Sequence, residues 1–281
     1  MPALSFVDSD HVDYTKVLSN TAFQQWISSL PTTEVPTHST NATKVFWINI
    51  YNGLTIQVVA ESIPIEGIQY IDGGKLWTTR TFVVGNQTVP LDQKSLLVFF
   101  KDPRIHAALN CAAEGCPPLL SEPFTAFDLD AQLEAASTRW VNGSGFTYDD
   151  GWFRDSATSS SIFDWYKEDF PCDDSKPMPT YDTTEYCGVL QFIVKYSAEY
   201  RKRIGKDYHT LFFEAYDWSL NSKPWANLFT DNAAERSLQR WIHIFEFCGA
   251  PYLILQRALQ WFVALQHTDP EAFDRLQRCT L

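Results

Sequence analysis

The stretch from Thr40 to Ser62 constrains the fold more than any other part of the chain. Val45, Ile48, Tyr51, Leu54, Thr55 and Val58 recur at helical spacing. Phe46, Trp47, Ile50, Ile56 and Val59 fill the other faces, so this helix is apolar nearly all round. Such a helix has no face to turn to water and belongs at the centre of a globule. Asn41 or Thr43 is placed to cap its start. Asn49 and Asn52 lie within it, and buried amides need hydrogen-bond partners.

The neighbouring patterns surround that helix with short elements. Asp13 to Leu30 reads as a helix and T-T-E-V-P-T-H-S-T-N, residues 32–41, as a loop. Ile63 to Tyr70 reads as extended. Thr79 to Val84 and Thr88 to Leu91 flank Gly85-Asn86 and predict a β-hairpin. A short helix is expected over Gln93 to Phe100, stopped by Lys101-Asp102-Pro103, and a buried strand over Arg104 to Asn110. Asp128 to Val141, Ser160 to Phe170 and Val189 to Arg203 read as helices. Phe146 to Arg154 reads as a hairpin, and Leu211 to Trp218 as a strand. Residues 222–281 read as helical. The expected organisation is an N-terminal helix and loop (1–43), a core domain (44–221) and a C-terminal helical extension (222–281) in the same globule.

One segment concentrates chemistry. Lys101 to Leu119 reads K-D-P-R-I-H-A-A-L-N-C-A-A-E-G-C-P-P-L and holds His106, Cys111 and Cys116. A thiol nucleophile needs a histidine, a cation or a helix N-terminus to lower its pKa. In a strand, the spacing of His106 and Cys111 puts them on opposite faces. In a helix they stand about 140° apart. Pairing them therefore requires a bend at Asn110 to Ala112. Pro117 suits the first turn of a helix, which would set Cys116 at a helix N-terminus. Asn110 is placed to donate to an oxyanion or to hold a turn. Asp92, Asp169 and Glu114 are the carboxylates that could orient the imidazole. Asp102 reads as a turn residue and Asp217 as a structural one. A metal held by His106, Cys111 and Cys116 is a weaker reading, since the spacing fits no familiar zinc site. A Cys111–Cys116 disulfide is a further option for an exported or redox-regulated protein. No nucleotide, zinc-protease or serine-hydrolase motif is present, and no cofactor is called for.

Composition limits the partners. Twenty-two basic against 34 acidic residues give a net charge of −12, which argues against nucleic acid. An apolar content of 45%, with 15% aromatic, supports a sizeable core. No charge-free apolar run is long enough for a spanning helix. The first residues show neither a basic start nor a long apolar run, so a cytoplasmic protein with free thiols is the expectation. If a leader has been removed, both expectations reverse.

Five blocks, in order, resemble the domain of unknown function 547 family. They are F-W-I-N-I-Y-N-G-L-T-I (46–56), V-P-L-D (89–92), D-P-R-I-H-A-A-L-N-C-A-A-E-G-C-P-P-L (102–119), I-F-D-W-Y-K-E-D-F (162–170) and Y-D-W-S-L-N (216–221). The resemblance covers residues 44–221. It implies an α+β, helix-rich papain-like core with a small antiparallel sheet. It also implies a cysteine hydrolase acting on a small, glutathione-like peptide or metabolite. By position, His106 is the family's histidine, and Cys111 and Cys116 are its paired cysteines. The resemblance favours Cys111 as nucleophile. The family often carries a Glu three residues after the Asp of its L-D block, where this chain has Ser95. Acyl transfer or cyclisation would follow if an amine captured the acyl-enzyme. Members also occur as non-enzymatic modules, which is the competing expectation. In that reading Trp241, Phe245, Trp261 and Phe262 of the tail form a homo-oligomer or partner surface.

Overall fold

The computed structural model describes residues 1–222, apart from 9, 38–39, 92–99, 150–155, 174, 176–183 and 203–209. The expected helices of the tail, the expected helix after Asp92, and Ser95 lie outside the described residues.

The chain opens with a two-stranded ribbon, β1 (Val7–Asp8) and β2 (His11–Val12). The helix expected over 13–30 is two helices, α1 (Tyr14–Val17) and α2 (Thr21–Ser29). Asn20 divides them because its side chain accepts the Phe23 N–H and caps the second. Next comes α3, Thr40–Ser62, over the expected span. Residues 48–60 of α3 are buried throughout, as an all-round apolar helix requires. Helix α4 (Leu76–Thr79) leads into a hairpin of β3 (Thr81–Val84) and β4 (Gln87–Pro90). Gly85 and Asn86 turn it, both with positive φ (58° and 60°), the conformation that Gly and Asn tolerate best.

The strand expected over Arg104 to Asn110 is instead a 3-10 turn, Pro103–Ala107. The reason is local. Asp102 accepts the Arg104 N–H at 3.2 Å, and Pro103 presets φ at the first helical position. Then come α5 (Leu129–Val141), β5 (Phe146–Asp149), β6 (Ser156–Ser159) and α6 (Ser161–Trp165). They are followed by α7 (Cys187–Tyr196), α8 (Ala198–Arg201) and β7 (Thr210–Phe213). Strand β6 lies between β5, antiparallel, and β7, parallel. The architecture is α+β, but among the described residues the sheets are three small ones, and the largest is mixed rather than antiparallel.

Two apolar clusters fill the interior. One surrounds α3 and includes Leu4, Phe6, Val12, Tyr14 and Phe23 of the N-terminal segment. The other surrounds Trp140, Phe163, Leu190 and Ile193, where the Trp140 ring stacks on Phe163 at 4.4 Å. The 3-10 turn runs between them. Ile105, Ala108 and Leu109 belong to the first cluster and Ala107 to the second, which leaves His106 at their seam. Among the described residues, no helix is long and apolar enough to cross a membrane.

Candidate functional site

The buried amides of α3 build the floor of the site. Asn52 donates from Nδ2 to Ala108 O (2.8 Å) and accepts the Asn110 N–H (2.9 Å). Asn49 makes the same two-way clasp with the backbone of Phe124. These partners answer the requirement set by burial, and they fix the loop that leaves the 3-10 turn. Asn110 is itself committed to that loop. Its Nδ2 donates to Pro117 O, and its Oδ1 accepts from Ala112 N–H and from Asn221 Nδ2. Asn110 is thus a loop brace here. Directly after Cys111 the chain bends at Ala112, with φ of 65°. This bend falls within Asn110 to Ala112, but His106 makes no hydrogen bond to either cysteine.

His106 is fully buried against two aromatic rings. Its ring lies 4.9 Å from Tyr166 and 5.1 Å from Phe170, centroid to centroid, the latter stacked. Between those two aromatics in sequence is Asp169, whose Oδ2 lies 3.1 Å from His106 Nε2. A carboxylate only accepts, so Nε2 carries the proton and Nδ1 keeps its lone pair. Nδ1 is buried and has no hydrogen-bond partner among the described residues. Burial pushes the His106 pKa below its ordinary value, against the opposing pull of Asp169. The ring is neutral at pH 7. Of the three carboxylates considered, Asp169 is the one on the imidazole. Glu114 pairs with His11 at 3.3 Å, and Asp92 lies outside the described residues.

The four described cysteines form two disulfides: Cys111–Cys116, the further option named above, and Cys172–Cys187, where free thiols had been expected. Their Cα separations, 6.1 and 5.3 Å, are ordinary for such bonds. Cys116 does not start a helix. The double proline after it leads into irregular chain. With its two sulfurs bonded to each other, the three-ligand metal reading has no site here. Among the described residues no other group of His, Cys, Asp and Glu is placed to hold a metal.

The residue that sequence reasoning missed is Tyr216. Its hydroxyl lies 3.0 Å from Cys111 Sγ and 3.1 Å from Cys116 Sγ. The segment carrying it zips onto the cysteine loop. Glu114 N–H donates to Ser219 O, Gly115 N–H to Asp217 O, and Asn221 N–H to Ala112 O. Gly115 allows the close approach, because a Cβ there would sit 2.9 Å from the Tyr216 ring. Asp217 is structural, as expected, accepting from the Ser219 N–H at 2.9 Å. Outside Tyr216, Trp165 and Trp218 stack at 5.9 Å, with Trp165 about half exposed. The only advance signal for Tyr216 was its place in the Y-D-W-S-L-N block.

The fold and site define an α+β protein with a buried histidine held by a half-buried aspartate and a tyrosine-capped disulfide. Residues 36–141 match the family model described as "Protein of unknown function, DUF547". The matched range takes in α3, the hairpin, the 3-10 turn and both cysteines of the loop, and ends at the last residue of α5. Asp169 and Tyr216 lie beyond it. No curated protein and no solved structure matches the chain.

Proposed function

We propose that this protein is a thiol-dependent hydrolase of papain-like type whose resting form is the Cys111–Cys116 disulfide. The observation that carries the reading is the state of His106: neutral, held by Asp169 on Nε2, with a bare lone pair on buried Nδ1. That is the arrangement a general base needs before it meets a thiol. Two equivalents of a small thiol reduce the bond, leaving as their disulfide and freeing the Cys111 and Cys116 thiols. The Cys111 thiol gives a proton to His106 Nδ1, and the thiolate attacks the carbonyl of an amide. His106 then returns the proton to the departing amine, and water releases the acyl group. Capture by an amine in place of water gives transfer or cyclisation from the same intermediate. Asp169 fixes the tautomer and supports the imidazolium. The Cys111 N–H, which donates to Cys116 Sγ in the disulfide, becomes free to hold an oxyanion. Nδ1 bonds to neither sulfur in the oxidised form, so the loop must shift when the bond opens. The substrate class is the amide of a small peptide or peptide-like metabolite, as the family resemblance suggests.

Iodoacetamide labelling across pH tests this reading. After reduction, Cys111 should alkylate with an apparent pKa below the ordinary value of about 8.5, and Asp169→Asn should raise it. The reduced protein should cleave small peptide amides, and Cys111→Ala should abolish that. Undiminished cleavage by Cys111→Ala would end the proposal.

A second reading is a disulfide-braced interaction module. The second bridge, Cys172–Cys187, favours it, because paired structural disulfides suit an oxidising environment. Reduced thiols that all react sluggishly, with no cleavage, would select it. An oligomer surface on the tail belongs to this reading.

A further inference from the structure

The Cys111–Cys116 bond is asymmetric in its surroundings, and the asymmetry has a chemical direction. Cys111 is half-buried, whereas Cys116 is buried at 6% exposure. The Cys111 backbone N–H points at Cys116 Sγ, 2.8 Å away. The Tyr216 hydroxyl bridges the bond, 3.1 Å from that sulfur and 3.0 Å from Cys111 Sγ. Burial pushes the Tyr216 pKa up, so the phenol keeps its proton and can donate it. The backbone N–H therefore singles out Cys116 Sγ, the phenol is in reach to donate to it as well, and the more open sulfur is Cys111 Sγ.

We propose that this pair is a thiol–disulfide exchange centre that takes low-molecular-weight thiols, with Cys111 as the sulfur attacked and Cys116 as the leaving thiolate. An incoming thiolate forms a bond to Cys111 Sγ. The Cys111–Cys116 bond breaks, and its electron pair goes to Cys116 Sγ, where the N–H and the phenol receive the charge. Exchange is faster when the leaving thiolate is stabilised, which is what those donors supply. The product is a mixed disulfide on Cys111. A second thiolate attacking the outer sulfur releases a small-molecule disulfide and leaves Cys111 as a thiolate. Two thiols are oxidised and one protein disulfide is reduced. Alternatively, the Cys116 thiolate attacks Cys111 Sγ and expels the small thiol, restoring the start. Tyr216 is a positioning residue for this step, seated by the space at Gly115.

The inference stands on the sulfur geometry and does not depend on hydrolase activity. The second bridge also joins an exposed sulfur residue, Cys172, to a buried one, Cys187, and so provides an internal comparison. The experiment treats the oxidised full chain with reduced glutathione, quenches with acid, alkylates free thiols with N-ethylmaleimide and maps peptides by mass spectrometry. The expected result is glutathione on Cys111 and maleimide on Cys116. Tyr216→Phe should slow formation of that adduct by about tenfold while leaving exchange at Cys172 unchanged. Adduct found on Cys116, or found on Cys172 with Cys111 untouched, overturns the proposal. So does an unaltered Cys111 rate in a Tyr216→Phe protein that unfolds at the wild-type temperature. Each readout is a mass, so a protein without hydrolytic activity can still pass or fail this test.

Discussion

His106 couples the site to pH through its burial. In the unfolded chain a histidine titrates near pH 6.5, whereas the folded pKa here is lower. Below about pH 6.5 the unfolded chain therefore binds a proton that the folded chain refuses, and stability falls as pH falls through that range. Urea unfolding of wild type between pH 7 and 5 should show this slope, and His106→Gln should flatten it whatever its stability at pH 7. Asp102 has the same sign in a lower pH range. Burial raises its pKa, but hydrogen bonds and charge from Arg104 and Lys44 outweigh that and hold it at about 2. Its stabilising contribution is complete above about pH 4 and is lost only as pH falls towards 2. The two contributions begin to fall at different points, His106 from about pH 6.5 and Asp102 from about pH 4. At this scale the sequence was readable in part. His106 and its three carboxylate options were visible from residue type, but choosing Asp169 required knowing that the turn at Lys167–Asp169 packs on the histidine.

Among the elements, α3 carries most of the burden of placing the site. Asn52 serves two backbone groups on the loop between His106 and Cys111, both out of water. Asn52→Ala would leave both unpaired and should cost about 3 kcal/mol in denaturant unfolding. A loss within a few tenths of a kcal/mol would show that the clasp has no energetic role. This helix was legible from its apolar pattern because its burial is set by its own residues. The hairpin was legible for a similar reason, since Gly85-Asn86 can serve only a few turn types. The strand expected over 104–110 failed because a short apolar run does not distinguish strand from helical turn. There the Asp102-Pro103 start decided the outcome. Periodicity also gave no access to Tyr216, whose contact with Cys111 spans 105 residues.

For the whole molecule, the two disulfides differ in the span of chain they close, five residues for Cys111–Cys116 and 15 for Cys172–Cys187. By loop entropy, losing the longer closure should cost about 3 kcal/mol and losing the shorter about 2 kcal/mol. Paired Cys→Ser variants compared by guanidinium unfolding measure both. A larger loss from the shorter loop would show that contacts around Tyr216, rather than chain entropy, dominate there.

The segment from Tyr216 to Ser222 touches three distant parts of the chain: Gly67 through Ser219, Ala113 through Leu220, and Val12 through Ser222. This has a consequence for biosynthesis. A ribosome makes the cysteine loop roughly a hundred residues before the tyrosine that caps it, about 5 to 20 seconds of elongation. Through that interval the two sulfurs lack the Tyr216 hydroxyl and the backbone clamp beside it. A nascent chain arrested before Tyr216 therefore presents its cysteines bare to whatever thiols and oxidants surround it, and one arrested well after Ser222 presents them already capped.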